Sequence, residues 1–145
     1  SIAARRSRSA TRRAVRVAAP PPRDAEAIAI ENTIEGCVRE TYAALQAHYQ
    51  AHTATDPEVR SALLTIARDE TRHAALSFTV ARFLRGKLSP AARARVTSAR
   101  TAAVARLRTE IAVAPSPSLR AAAGLPDAAT AEAMLQGPER SLWRS

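Results

Sequence analysis

Between Asp24 and Ala112 the chain has only two places where a helix must stop: Thr55-Asp56-Pro57-Glu58, and Gly86 followed by Ser89-Pro90. Proline lacks a backbone donor and crowds the turn before it, so a helix tolerates it best in its first turn. A serine, threonine or aspartate just ahead of it supplies an oxygen that accepts from the free N–H groups of that turn. The stretches between are rich in alanine, arginine, leucine and glutamate, the residues that cost a helix least. Three helices are therefore predicted. The first starts at Asp24, with Glu26 in its first turn, and runs to about His52. The second starts at Pro57, with Thr55 as its cap and Glu58 three residues on, and ends near Gly86. The third follows Ser89-Pro90 and runs to about Ala112.

Apolar residues at helical spacing name the inward faces. They are Ile30, Ile34, Val38, Leu45 and Tyr49 on the first helix, and Val59, Leu63, Ile66, Ala67, Ala74 and Ala81 on the second. The third offers Val96, Val104, Leu107 and Ile111. Gly36 costs the first helix stability, and its missing side chain permits close approach of another helix. No strand pattern or internal repeat is present. The fold class is all-α: an antiparallel helix pair plus a third helix.

The 145 residues suffice for one domain with a modest core. The formal charge of +9 suggests a nucleic-acid partner until it is located. Residues 1–23 hold seven arginines and no acid, whereas the other 122 residues carry 15 basic and 13 acidic side chains. The basicity thus belongs to a Pro-rich tail and linker (1–23), set off by Pro20-Pro21-Pro22, and nucleic-acid binding is not the expected role. The helical segment spans 24–112. Residues 113–145 read as a Pro- and Ala-rich loop to 127, a short helix near Ala128–Leu135 and an end containing Trp143. Cys37 is the single cysteine, so no intrachain disulfide forms. With no base nearby, it reads as a small buried apolar residue. No run approaches the ~20 apolar residues that cross a bilayer, and the expected location is the cytoplasm.

The second helix contains Glu70-Thr-Arg-His73. Positions i and i+3 share a helix face, so a carboxylate and an imidazole reach one point. Glu-x-x-His is the spacing that di-iron and di-manganese bundles use, joined by a glutamate from a facing helix. The short loop around His52–Thr55 makes the first two helices antiparallel neighbours, and residues equidistant from the turn lie level. With the turn centred between 52 and 53, Glu35 faces Glu70, each about 26 Å from the turn at ~1.5 Å per residue. Glu31, Glu35, Arg39, Tyr42 and Gln46 form one polar stripe, costly to turn inward unless paired or metal-bound. Tyr42 is placed to hydrogen-bond a ligand carboxylate. Each residue also has a plainer reading. Glu35 and Arg39 suit an i,i+4 ion pair, Glu31 is an additional ligand one turn away or a surface group, and Glu40 reads as solvated. His48 and His52 point off the stripe.

Glu35-Gly-Cys-Val-Arg39-Glu-Thr-Tyr42 followed by Ile66-Ala-Arg-Asp-Glu70-Thr-Arg-His73 resembles the ferritin-like superfamily. The Glu-x-x-x-Arg-x-x-Tyr spacing is similar to that of rubrerythrins. The stretch from Glu26 to Leu88 looks like the second half of bacterial ferritin-like domain proteins. The resemblance implies half of a four-helix bundle. It also implies Glu35, Glu70 and His73 as ligands to iron or manganese in a di-metal site, with Arg39 and Tyr42 behind them. Its implied chemistry is metal oxidation or oxygen-dependent redox chemistry. A complete site of this kind needs a second Glu-x-x-His and two further glutamates, and this chain carries one set. Either two copies pair as a homodimer, or a further N-terminal helix pair completes the site. The Pro-rich segment, lying where such proteins join their halves, favours the latter. The rival reading is a non-enzymatic helical interaction module with an incomplete ancestral site.

Overall fold

A computed structural model describes residues 23–144, and among them every regular element is helical. The basic tail, apart from Arg23, lies outside them. The first predicted helix is one continuous rod over residues 25–53, but of mixed character. It begins as α1 (Ala25–Glu31), becomes a π-helical segment (Asn32–Glu40), and returns to α-helix as α2 (Thr41–Thr53). Asp24 caps it, accepting from the Ala27 N–H at 2.7 Å. After Ala54-Thr55-Asp56 comes α3 (Pro57–Arg85), then α4 (Pro90–Ile111), capped by Ser89 as expected. The cap of α3 differs from expectation. Asp56, not Thr55, accepts from the Glu58 and Val59 N–H groups. Its carboxylate sits next to Pro57 at the first helical position and needs no longer reach.

Two elements depart from the predicted layout of residues 113–145. The loop contains a short helix, α5 (Pro117–Ala123), capped by Ser116 and ended by Gly124 in the left-handed region at φ 65°. The last helix, α6 (Ala128–Ser141), continues one and a half turns beyond Leu135, through Pro138.

The 25–53 rod is the spine. α3 runs antiparallel along it, α4 packs on its first half and α6 covers α2 and α4, while α3 and α4 hardly touch each other. The main core joins Val38, Tyr42, Val104, Leu107, Leu135 and Trp143. A second cluster of Ala29, Leu84, Leu88 and Ala92 seals the turn between α3 and α4. Apart from Leu84 near its end, the buried face of α3 is made of small residues: Ala67, Ala74 and Ser77. Ile66, expected in the core, is 48% exposed. A small-residue face lets backbones approach closely but leaves larger neighbours outside the contact.

The closest approach is at Gly36. A Cβ there would run into the Ser77 side chain. Asn32 clamps the same point, donating from Nδ2 to the Ser77 carbonyl at 2.9 Å. At the far side, the Trp143 indole N–H donates to the Cys37 carbonyl at 2.8 Å, tying the chain's end to the π segment. Ion pairs latch the helices at their edges: Arg95 with Glu26, Arg39 with Glu110, and Arg108 with Glu132 and Glu139. These side chains are all about a quarter or more exposed, so water screens each pair and it adds little to stability.

Gly36→Ala should therefore destabilise the fold, although alanine is the better helix former by ~1 kcal/mol. Overpacking against Ser77 costs about 1–3 kcal/mol. Urea unfolding should show a lower midpoint with an unchanged slope, and Gly36→Ala combined with Ser77→Gly should recover most of the loss.

Candidate metal centre

Glu70 and His73 lie one turn apart on α3, on the face directed at the spine. The His73 Nδ1 is 3.9 Å from a Glu70 carboxylate oxygen. The spine residue that meets them is Glu40, at the last position of the π segment. One ligand atom from each of Glu40, Glu70 and His73 lies within 4.8 Å of the other two.

Glu35 is not in this cluster. Its carboxylate is 3.8 Å from Arg39 and 64% exposed, along the same groove. Two features explain the change from the expected partner. The spine's α-helix runs to Thr53 and α3 begins at Pro57, so the turn is centred on Thr55, and Glu40 and Glu70 are the equidistant pair. The π segment also changes which side chains of residues 32–40 face α3, because a bond to the fifth residue along replaces the bond to the fourth. Glu40, expected in solvent, is partly buried and accepts a hydrogen bond from Ser77 Oγ at 3.2 Å. The glycine that admits α3 thus also places the hydroxyl that holds Glu40.

The other named residues fall elsewhere. Glu31 pairs with Arg23, away from the cluster. Arg39 directs both guanidinium nitrogens to Glu110 on α4, at 3.3 and 3.0 Å, and braces the groove without bonding Glu40 or Glu70. Tyr42 belongs to the core at 4% exposure, and its hydroxyl has no partner among the described residues. Burial, then Glu132, raises its pKa. His48 and His52 are exposed, bonded to Thr71 and to the His48 carbonyl. Sequence reasoning missed Glu40. The available signal was the Asp56-Pro57 helix start, which moves the centre of the turn.

The cluster opens into a groove of about 690 Å³ between α3 and the far end of α4. Leu63 and Ile66 form its wall beside Glu70 and His73. Ile111 and Val113 face them across it, and Tyr42 and Gln46 line it from the spine. The Glu70 side chain is 29% exposed and that of His73 58%, so both are reachable from the groove. Two carboxylates and a neutral imidazole balance the charge of a divalent cation, and oxygen plus imidazole donors suit iron, manganese or zinc. Bonds of ~2.1 Å hold ligand atoms roughly 3–3.5 Å apart, so small side-chain rotations from the present spacing suffice.

Cys37, near the cluster in sequence, takes no part in it. It is 4% exposed, and burial pushes its thiol up to about 11 against the pull of Arg100. Relative to the ordinary value of 9.0, that leaves about 100-fold less thiolate at neutral pH, and the thiolate is the reactive form. A disulfide-exchange reagent at pH 7.5 should modify the native protein at least ~100-fold more slowly than the urea-unfolded chain. Comparable rates would show that Cys37 is accessible and ionised.

No protein-family model, curated protein or solved structure matches the chain.

Proposed function

We propose that the protein binds iron or manganese through Glu40, Glu70 and His73, as a ferritin-like half-site in the cytoplasm. The observation that carries this reading is the convergence of two carboxylates and an imidazole from two helices within 4.8 Å. It reproduces the Glu-x-x-His plus facing glutamate pattern of di-metal bundles, with Glu40 in the role expected of Glu35. Ser77 supports it further, because outer hydrogen bonds that orient a ligand are characteristic of metal sites. Three protein ligands leave coordination positions facing the groove. A second copy of the chain, or a further helix pair, would supply the ligands of a second metal there. The metal, once paired, would contribute redox chemistry; the chain's own residues hold it, neutralise it and keep it at the groove wall.

The rival interaction module is favoured by one observation. The outer face of α3 carries Leu76 at 62% and Phe83 at 64% exposure, two turns apart on one stripe.

Calorimetric titration with Mn²⁺, and anaerobically with Fe²⁺, tests the assignment. Glu40→Gln and His73→Ala should each weaken binding at least tenfold, while Glu35→Gln leaves it within about threefold. Loss of binding in Glu35→Gln with retention in Glu40→Gln would return the ligand role to Glu35. No binding by the intact chain would leave the interaction module. Ser77→Ala should weaken metal binding by about 10-fold, the lower end for loss of an outer hydrogen bond. Measured by the same titration, an unchanged affinity would mean that Glu40 is held without it.

A further inference from the structure

A second groove, of about 400 Å³, lies between α3 and α4 where the two helices diverge from their common turn. The spine contributes Ala29, Thr33 and Cys37 to it, α3 contributes Phe78 and Ala81, and Leu142 closes one side. Its volume is at the lower end of the ~300–1,000 Å³ that small-molecule pockets occupy, and such pockets are mostly apolar with a few polar groups. Here the charged groups are of one kind. Arg82 and Arg85 come from α3, and Arg93 and Arg100 from α4, with no aspartate or glutamate among the lining residues.

What sets this place apart is that four arginines converge on one cavity that no acidic residue lines. Arg23, Arg39, Arg72, Arg95 and Arg108 each meet a carboxylate within salt-bridge distance. Among the described residues, none of the four groove arginines does. Arg93 donates from Nε to the Arg85 carbonyl, which fixes its position without neutralising it. Arg100 is half-buried, and burial, with Arg85 nearby, lowers its pKa despite Cys37. Cys37 cannot serve as the missing anion, because burial keeps it a neutral thiol up to about 11. Four guanidinium groups around an apolar floor repel one another unless an anion joins them. Guanidinium matches carboxylate and phosphate oxygens in bidentate geometry.

We propose that this groove binds an amphipathic anion, with a carboxylate or phosphate monoester headgroup held by Arg82, Arg85, Arg93 and Arg100 and a short alkyl tail against Ala29 and Phe78. The site is separate from the metal centre. Thr33 and Cys37 line this groove, whereas Glu35, Arg39 and Glu40 line the other, so the π segment contributes to both without sharing a residue between them. An inorganic anion alone would leave the apolar floor unused, and an uncharged lipid would leave the arginines uncompensated.

The test is calorimetric titration of the full chain with decanoate, decyl phosphate, decanol and inorganic phosphate, all below micelle-forming concentrations. One equivalent of decanoate or decyl phosphate should bind, at least tenfold more tightly than decanol or inorganic phosphate, and the tighter of the two identifies the headgroup. The double variant Arg82→Gln/Arg85→Gln should lose at least tenfold in affinity with an unchanged melting temperature, since both residues are exposed. His73→Ala should bind the anion as the parent chain does. Decanol or inorganic phosphate binding as tightly as the amphipathic anions, or an unchanged affinity in the double variant, would overturn the proposal.

Discussion

The contact between Gly36 and Ser77 is the constraint on which the rest of the arrangement depends. Only a glycine lets α3 come this near the spine. At that distance the Ser77 hydroxyl reaches Glu40 and its carbonyl receives the Asn32 amide. The spine adopts π geometry through this stretch, and the Cys37 carbonyl accepts from both Thr41 Oγ1 and the Trp143 indole. One close approach thus couples the α3 packing, the position of a candidate metal ligand and the docking of the chain's last turn. π segments are rare and concentrate at functional sites, and here the segment lies beside both grooves.

Small residues on α3 have a second consequence. With alanine and serine through most of the interface, α3 sits tightly against the spine while Leu64, Ile66, Leu76 and Phe83 remain outside, and only near its end does Leu84 turn inward against Ala29. α4 binds the spine independently through Val104 and Leu107. Two helices that share a support but not an interface leave room between them, and that room is where the polar residues gather. Four carboxylates and His73, with Arg39 among them, stand at one groove, and four arginines without an acid at the other. Their segregation gives the two grooves opposite electrostatic character, so each is suited to a ligand of opposite charge.

Much of the fold was legible because its breaks are local chemistry. Ser89-Pro90 starts a helix, Asp24 caps another, and the predicted ends at Gly86 and Ala112 coincide with the observed ones. The short α5 shows the same Ser-Pro signal at Ser116-Pro117, overshadowed by the prolines around it. The extension of α6 through Pro138 carries no local sign, since proline normally argues for an end. For the site, Glu-x-x-His identified Glu70 and His73 as a pair on one face, and they stand together. The facing ligand was harder. Choosing between Glu35 and Glu40 needs the turn centre to within two residues and the helix type of the spine, and hydrophobic periodicity reports neither. The arginine groove was invisible in the sequence because its cations come from two helices that meet only in space.

The spine turns Glu40, and not Glu35, towards Glu70 and His73, and the proposed metal site depends on that choice. The most direct test is a manganese anomalous difference map from crystals of the metal-loaded chain. A metal held as proposed gives a peak bonded to Glu40, Glu70 and His73 beside the Gly36–Ser77 contact. A peak coordinated by Glu35 instead, or no peak at the groove under saturating metal, would contradict the proposal.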